Sequence, residues 1–267
     1  MSVQNPPTAI VYRWQAGDLV ALEDCDVTES RIVVADSWYV TDGTALALGM
    51  HRSRFLAGIP SELLDEASAE AFLDDAIALI PREGDWFPRV ELREDNRGGV
   101  SLLFRLRSAP ERQRSGVVAT WHGNDPRTTP LVKGPDLEAM TRIRTAVQPS
   151  GADEAIILSP EGYIVEGAYS SLVWWRGNIL CAPAKELDRV DSVTAKALLG
   201  IAGALGSDVH FEAVTPTEID GTELWILSAL HGPRIVTEWA EGPSLAELPG
   251  RLALWRDKLD ALRRPLP

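Results

Sequence analysis

Residues 151–183 read GADEAIILSPEGYIVEGAYSSLVWWRGNILCAP, and this stretch decides the fold. Its apolar, β-branched runs predict four short strands joined by turns at 160–162 and 176–178. Glu166 ends the second strand and precedes a small, polar Gly-Ala-Tyr-Ser-Ser segment. Because burying an unpaired carboxylate is costly, Glu166 must face water, a cation or a cofactor. The local pattern by itself favours the first of these, an exposed acid at a strand end.

Lys133 lies upstream of this stretch, between a Leu-Val pair and a Gly-Pro turn. Only four of the 26 basic residues are lysines, so few side chains could act as an amine nucleophile. Lys196 belongs to a predicted helix face, Lys185 to a polar loop and Lys258 to the charged C-terminal segment. Partial burial of Lys133 would favour the neutral amine, the form that attacks carbonyl carbons. A solvated loop lysine is the alternative that the local context supports equally well.

The composition is typical of a soluble globular protein, with 45% hydrophobic and 24% charged residues among 267. This length suits one large domain or two smaller ones. The net charge of −13 argues against nucleic acid or an anionic membrane surface as a partner. The start, MSVQNPPTAIVYRW, lacks the features of a secretory signal, and no long apolar run predicts a membrane span. We therefore expect a cytoplasmic protein.

Neither the cysteines nor the histidines form a metal-binding pattern. The two cysteines, Cys25 and Cys181, make neither a disulfide framework nor a CxxC pair. The four histidines show no HxH or HExxH spacing. These histidines are His51, His122, His210 and His231. The sequence therefore predicts no metal site.

The N-terminal part, residues 1–121, has the pattern of an α+β lobe built on an antiparallel sheet. Its predicted strands are 8–22 (two strands around a Gly-Asp turn), 31–40, 44–48, 89–95 and 100–107. Its predicted helices are 49–57 and 61–80. Residues 122–131 are predicted to connect this lobe to a larger one, residues 132–267.

The C-terminal part, residues 132–267, combines the strands of the opening stretch with further strands and helices. Its predicted helices are 136–147, the segment from Ser192 to Gly206, and the tail 244–267, which we expect to pack on the outside. Further strands are predicted at 209–214, 223–230 and 234–239.

Three of these segments are candidates for holding an anion. The helix after Ser192 would direct its dipole, the backbone N–H groups of Val193 and Thr194, and the Thr194 hydroxyl at a phosphate. Ordinary N-capping by Asp191 or Ser192 is the commoner use of such a helix start. Arg54 could supply a counter-charge, and the small residues at 228–229 would let the backbone approach a ligand closely.

Together these segments resemble the class IV aminotransferase family, the fold-type-IV pyridoxal-phosphate enzymes. Residues 151–183 resemble the family's signature, and Lys133 stands in the place of its cofactor-binding lysine. In GTALALGMHRSRF, His51 and Arg54 have the spacing of the family's phosphate-binding segment. SVTAKALL takes the place of its Gly-Ile-Thr helix start, and LSALHGPRIV that of its second phosphate loop. The likeness covers roughly 31–55 and 127–238.

The resemblance implies a two-domain α+β fold similar to D-amino-acid aminotransferases, with a small N-terminal α/β lobe and a larger C-terminal lobe that contains an antiparallel or mixed sheet. It also implies pyridoxal 5'-phosphate as cofactor and a homodimer. Lys133 would hold the cofactor and move protons at the substrate α-carbon. Glu166 would face the pyridine nitrogen and keep it protonated. Ser37, aligned with a hydroxyl residue on the family's substrate side, would contact the substrate. The remaining implied cofactor contacts are Arg54, Ser170, Ser171, Val193, Thr194, Ser228 and Ala229.

Three departures from the family pattern bear on the substrate. Ser171 replaces an asparagine five residues after the glutamate, and Ser192 replaces the glycine of Gly-Ile-Thr. RIVVADSWYV replaces a Gly-Asp-Gly-Val-Phe-type segment that helps to line the substrate side in the family. None of these changes removes Lys133 or Glu166.

The cofactor residues do not distinguish between the reactions of the family, since its lyases and its transaminases need the same ones. The SALHG segment resembles the Asn-Ala-Leu run of 4-amino-4-deoxychorismate lyases, and the Gly-Gly-Asn-Tyr run of branched-chain aminotransferases is missing after Lys133. We therefore favour a lyase-like enzyme that releases pyruvate and 4-aminobenzoate. An amino-acid transaminase of branched-chain or D-amino-acid type is the alternative. A non-catalytic family member is the third reading, supported by Ser171 and the altered N-terminal segment.

Overall fold

Residues 9–22 and 29–267 are described by a computed structural model of the chain. Cys25 and the first residue of the predicted strand region 8–22 lie outside the described residues. The strands are β1 (Ala9–Gln15), β2 (Asp18–Ala21), β3 (Ser30–Ser37), β4 (Val40–Thr41), β5 (Thr44–Leu46), β6 (Asp85–Trp86), β7 (Arg89–Asp95), β8 (Val100–Arg107), β9 (Ser115–Thr120), β10 (Glu154–Leu158), β11 (Ile164–Gly167), β12 (Ser171–Arg176), β13 (Ile179–Pro183), β14 (Val209–Glu212), β15 (Glu223–Ser228), β16 (Gly232–Ala240) and β17 (Arg263–Pro265). The helices are α1 (Leu48–Ala57), α2 (Glu66–Ala78), α3 (Leu137–Val147), α4 (Val193–Ala204) and α5 (Arg251–Asp260), with 3-10 turns at Gln148–Ser150 and Pro216–Ile219.

Internal contacts divide the chain into two units. Unit 1 comprises Met1–Glu111, Val132–Pro135 and Leu262–Pro267, and unit 2 comprises Arg112–Leu131 and Asp136–Ala261. The lobes predicted from the sequence, 1–121 and 132–267, have different boundaries. Pairing explains the difference, because β9 lies inside the sheet of unit 2, while β17 pairs with β5 in unit 1.

Unit 1 contains a five-stranded antiparallel sheet, in the order β2-β1-β8-β7-β3, and a four-stranded sheet, in the order β17-β5-β4-β6. One face of the larger sheet joins α1 and α2 in a core that includes Phe55, Phe72 and Phe104, all fully buried. Residues alternate between the faces of a strand, so β7 directs Val90 and Leu92 into this core. Its arginines lie on the opposite face.

Unit 2 contains an eight-stranded mixed sheet, in the order β11-β10-β9-β16-β15-β12-β13-β14. The short hairpins pair antiparallel, whereas β9 pairs parallel with both β10 and β16. A parallel pair requires a long crossover, which the chain between β9 and β10 supplies with α3. Met140 and Ile143 pack that helix against Ala155 and Ile157 of β10.

Most predicted elements are present, with two corrections in helices. The second helix begins at Glu66 rather than at residue 61, because the Asp65 carboxylate caps it by accepting the Ser68 N–H at 2.8 Å. The predicted helical tail, 244–267, is shorter in the structure. Only Arg251–Asp260 is helical, and it buries Trp255 against Trp175 and Trp225 at ring distances of 5.2 and 6.4 Å. The chain then continues as β17.

Within 9–22 and 29–267, no helix is long and apolar enough to cross a membrane. The same residues contain no group of three or more histidine, cysteine, aspartate or glutamate side chains arranged to hold a metal ion.

Candidate functional site

Lys133 is half-buried in the segment between β9 and α3, in agreement with the partial burial expected from its neighbours. Its carbonyl accepts the Ala35 N–H at 2.7 Å, which attaches this segment to β3. The next residue, Gly134, has a φ of 130°, and a Cβ there would lie 2.5 Å from the Ala35 nitrogen. The segment therefore approaches β3 so closely that only glycine fits after the lysine.

Arg54 extends from α1 to a buried acid, Asp36, at the end of β3. Its Nε and Nη2 groups donate to the two Asp36 carboxylate oxygens at 2.7 Å each. His51, one turn earlier on α1, contacts Asp36 Oδ1 through Nδ1 at 2.8 Å. Burial alone would raise the pKa of the Asp36 carboxyl, but His51 and Arg54 hold it well below its usual range. Asp36 is therefore ionised at neutral pH.

Both His51 and His231 are held neutral by their surroundings. Burial lowers the pKa of His51, and the charges of Arg54 and Lys133 reinforce this against the attraction of Asp36. Burial, together with nearby arginines of which Arg234 contributes most, lowers the pKa of His231 to about 4. The Nδ1 atom of His231 accepts the Gln113 N–H at 3.2 Å, as an unprotonated nitrogen must.

The lowered pKa values of the two histidines act to reduce stability in mild acid, whereas the raised pKa of Glu154 acts in the opposite direction. Below the ordinary histidine pKa of 6.5 the unfolded chain binds protons that the native histidines do not. The contribution of the histidines to the free energy of unfolding therefore decreases as the pH decreases. The Asp36 contribution is retained at these values, because it is lost only below the unfolded pKa of 3.8. Denaturant titrations between about pH 7 and pH 5 measure the slope, which each histidine raises by at most about 1.4 kcal/mol per pH unit.

His231→Gln is expected to flatten this slope, and His210→Gln, at an exposed position, serves as its control. A His231→Gln protein with the wild-type slope would contradict the prediction.

Ser37 lies at the edge of an arginine-rich face on the larger sheet of unit 1. It pairs with Arg89 of β7, and Arg89 pairs with Arg105 of β8, so the three side chains form one row. Glu91 accepts from Arg105 at 2.9 Å and lies 2.8 Å from Arg89. Burial, followed by repulsion from Arg89 and Arg105, lowers the pKa of Arg107 to about 10. We call Ser37, Arg89, Arg105 and Arg107 the arginine face.

Glu166, on β11, is not the exposed acid that its local pattern favours. Only 7% of its surface is accessible, and Oε1 accepts from Nη1 of Arg127 at 2.5 Å. Arg127 also binds the Asp125 carboxylate and donates to the Asp188 carbonyl at 2.9 Å. Burial would lower the pKa of Arg127, but the hydrogen bonds that it donates to Asp125 and the negative charge of Glu166 raise this pKa. The guanidinium therefore stays charged.

The two serines after Glu166 differ in their contacts. Ser170 Oγ donates to Glu154 Oε2 at 2.9 Å, and burial raises the pKa of Glu154. Ser171 Oγ is buried and has no hydrogen-bond partner within the described part of the chain. Pairing of Ser171 with Leu227 places it beside Ser228, at the same end of the sheet. A buried hydroxyl without a partner is rare in proteins and points to a bound group or water.

The start of α4 is capped by a side chain and also has two backbone N–H groups that the helix itself does not use, those of Val193 and Thr194. Ser192 Oγ accepts the Ala195 N–H at 3.2 Å, so the capping alternative is confirmed. Val193 and Thr194, 3% and 4% accessible, follow the cap, and their N–H groups have no acceptor within the helix. Ser228 Oγ accepts the His231 N–H at 3.2 Å, which closes the turn containing Ala229.

The predicted residues thus fall into two sets. Lys133, Arg54 and Ser37 belong to unit 1, where β3 is the common support of Ser37 and the Lys133 segment. The remaining predicted residues, from Glu166 to Ala229, belong to unit 2, where α4 packs against β12 and β15.

Sequence reasoning missed Asp36 and Arg127. Asp36 did leave a signal, a charged residue inside the apolar run VVADSWY, because a buried charge needs a partner. Arg127 left no signal in the sequence, because nothing in its local pattern distinguishes it from the other arginines of the chain.

The sequence pattern described as amino-transferase class IV matches residues 34–239. The chain belongs to the class IV aminotransferase family. Enzymes of this family use pyridoxal phosphate. No curated protein sequence matches the chain.

Solved structures of fold-type-IV transaminases share this fold at low sequence identity. The branched-chain aminotransferase of Thermoproteus uzoniensis with norvaline is 18% identical, with a TM-score of 0.77 over 97% of this chain and 99% of that one. The fold IV-transaminase CpuTA1 of Curtobacterium pusillum is 19% identical, with a TM-score of 0.71 over 95% and 96%. A hypothetical aminotransferase of Mycobacterium tuberculosis in its PLP-bound form is 17% identical, with a TM-score of 0.75 over 96% and 98%. The predicted two-domain α+β fold of this class is confirmed.

The side chains present suit the family's cofactor. In unit 1, Lys133 carries an amine of the kind that bonds an aldehyde, and Arg54 a guanidinium of the kind that binds phosphate. In unit 2, the amides at the start of α4 are also of the kind that binds phosphate. Glu166 in unit 2 carries a carboxylate, the type of group that accepts a hydrogen bond from a protonated ring nitrogen. The buried Ser171 hydroxyl, which lacks a described partner, offers a further polar contact.

Proposed function

We propose that this protein is a pyridoxal-phosphate-dependent enzyme in which Lys133 carries the cofactor and moves a proton at the α-carbon of an amino-acid-type substrate. The observation that supports this role is the attachment of the Lys133 segment to β3 through Ala35 and Gly134, which limits the positions of the amine. When bound, the cofactor supplies an electron sink for the carbanion at that carbon.

In this proposal Glu166 accepts the N–H of the pyridine ring, and Arg127 fixes the orientation and charge of its carboxylate. Arg54 is a proposed donor to the phosphate, and the Val193 and Thr194 amides are proposed donors as well. The backbone of Ser228 and Ala229 and the hydroxyl of Ser171 complete the contacts, whereas the Ser170 hydroxyl is engaged by Glu154.

For the reaction we favour a 4-amino-4-deoxychorismate lyase-like activity that releases pyruvate and 4-aminobenzoate. The Ser-Ala-Leu-His turn after β15 supports it through its likeness to the lyase branch. The arginine face supports it as well, because the proposed substrate carries two carboxylates and arginine binds carboxylates in bidentate geometry. Ser37 would contact this substrate. We further infer a cytoplasmic homodimer, as the composition and the resemblance imply.

An amino-acid transaminase is the second candidate. It is favoured by the names of the similar structures, which include a branched-chain aminotransferase and a fold IV-transaminase. The same Lys133 and Glu166 would serve it, with a keto acid as amino-group acceptor.

Two measurements test the proposal. Incubation with pyridoxal phosphate, reduction with borohydride and peptide mass spectrometry should locate a pyridoxyl group on Lys133. Its absence from Lys133 would overturn the assignment and support a non-catalytic protein. Aminodeoxychorismate is then supplied without a keto acid. Release of pyruvate supports the lyase, whereas turnover that strictly requires a keto acid contradicts it and establishes the transaminase.

A further inference from the structure

The buried Asp36 carboxylate joins the two polar side chains that α1 directs inward. It has no accessible surface, and it accepts from Arg54 through two nitrogens and from His51 Nδ1. A fourth bond, from the Ser37 N–H to Oδ1 at 2.7 Å, fixes the carboxylate on β3. The carboxylate is therefore held by the strand on one side and by the helix on the other.

This arrangement restricts Arg54 more than a single ion pair would. Donation from two of its nitrogens to the two oxygens of one carboxylate defines the plane of the guanidinium. A buried ion pair is weak evidence for stability, since apolar residues of similar volume often stabilise as well or better. We therefore assign the Asp36–Arg54 ion pair a role in the orientation of Arg54 and not in the stability of the fold.

The contacts also determine the state of His51. Asp36 is acceptor-only and Arg54 donor-only, so Nδ1, at 2.8 Å from Asp36 Oδ1, carries its proton toward Asp36. The Arg54 Nη2 atom at 3.3 Å then adds no hydrogen bond to that nitrogen. With His51 neutral, Asp36 and Arg54 cancel each other's charge.

We infer that Asp36 is a positioning residue for an anion-binding subsite, holding the Arg54 guanidinium in the orientation that receives a phosphate group. This inference rests on the proposed function, since it takes the cofactor phosphate as the anion. It assigns Asp36 no contact with the cofactor. The carboxylate acts only through Arg54. Its own negative charge would repel a phosphate, so its role is to orient the guanidinium and not to bind the anion.

The test compares pyridoxal phosphate with pyridoxal, which has the same ring and aldehyde but no phosphate. In Asp36→Asn the preference for pyridoxal phosphate, as the ratio of the two dissociation constants, is expected to fall about tenfold because Arg54 loses its charged acceptor. General destabilisation would weaken both ligands alike and leave the ratio unchanged. Asp75→Asn, which removes a carboxylate that accepts from Trp14 in the same unit, is the control and should keep the ratio.

A double-mutant cycle shows whether Asp36 acts through Arg54. In an Arg54→Gln background, Asp36→Asn is expected to leave the ratio unchanged, whereas independent effects would add. Additive effects, or a ratio in Asp36→Asn equal to or above that of the wild type, overturn the inference. Should Asp36→Asn not fold, Asp36→Ser, which is smaller and admits water, replaces it with the same expected ratio.

The outcomes separate this inference from the proposed function. A pyridoxyl group on Lys133 together with an unchanged ratio in Asp36→Asn overturns the positioning role alone. A wild-type protein that shows no preference for pyridoxal phosphate and no modification at Lys133 overturns both.

Discussion

Replacing Lys133 with alanine is expected to abolish covalent attachment of pyridoxal phosphate and to lower turnover by about a thousandfold or more. The substitution removes both the amine that bonds the cofactor aldehyde and the group that moves the proton at the substrate α-carbon. Borohydride reduction with mass spectrometry measures the first effect, and pyruvate release or keto-acid-dependent amino transfer measures the second.

Lys258→Ala is the matched control, because it removes a lysine from α5 without touching the proposed cofactor contacts. It should retain both the modification and the turnover. A Lys133→Ala protein that still forms a borohydride-stable adduct at the wild-type level would show that another amine carries the cofactor. Lys133→Arg keeps the positive charge and should fail like alanine, since the guanidinium does not deprotonate.

Gly134→Ala is expected to lower turnover by about a hundredfold through displacement of Lys133. The new Cβ would lie 2.5 Å from the Ala35 nitrogen and 2.9 Å from the Val34 carbonyl carbon, both backbone atoms of β3. Such atoms have no alternative rotamer, so the segment itself must move away from β3 and lose the hydrogen bond from Ala35 to Lys133. A shift of about 1 Å at a reacting group can reduce the rate to this extent.

Gly98→Ala separates this clash from ordinary backbone strain. Gly98 also has a positive φ, 81°, but a Cβ there would meet no atom within 4 Å. We expect it to reduce stability by about 1 kcal/mol and to leave turnover unchanged. Equal turnover in Gly134→Ala and Gly98→Ala would show that the position of Lys133 does not depend on the close approach to β3. Thermal unfolding of both variants measures the strain that they share.

Local pattern was sufficient where neighbouring residues determine the structure. The hairpin 89–95 and 100–107 was predicted with its observed bounds, because a Gly-Gly turn between two apolar strands specifies pairing and register locally. Local pattern was not sufficient for the tail, 244–267. Its helical periodicity continues beyond Asp260, but the helix ends there and residues 263–265 form a strand paired with β5. A strand formed with a partner so distant in sequence leaves no local pattern.

The charge partners required the structure for the same reason. Glu166 is buried beside Arg127, and Arg54 is bound to Asp36 rather than exposed on its helix. Each ion pair joins residues from separate segments of the chain. The strength of each pair depends on distance and burial, which only the folded chain defines. The arginine face is a further case, since register alone places Ser37, Arg89 and Arg105 in one row.

Local patterns in the sequence indicate the family and lead to Lys133 and Glu166, the two residues on which the proposal depends. Both the 151–183 stretch and the isolated lysine are such patterns of residue type and spacing. Tertiary structure decided how those residues are held. It attached Lys133 to β3 through Gly134, placed Arg127 against Glu166, and buried Asp36 between Arg54 and His51. These are contacts between distant segments, and they form only when hydrophobic burial brings those segments together.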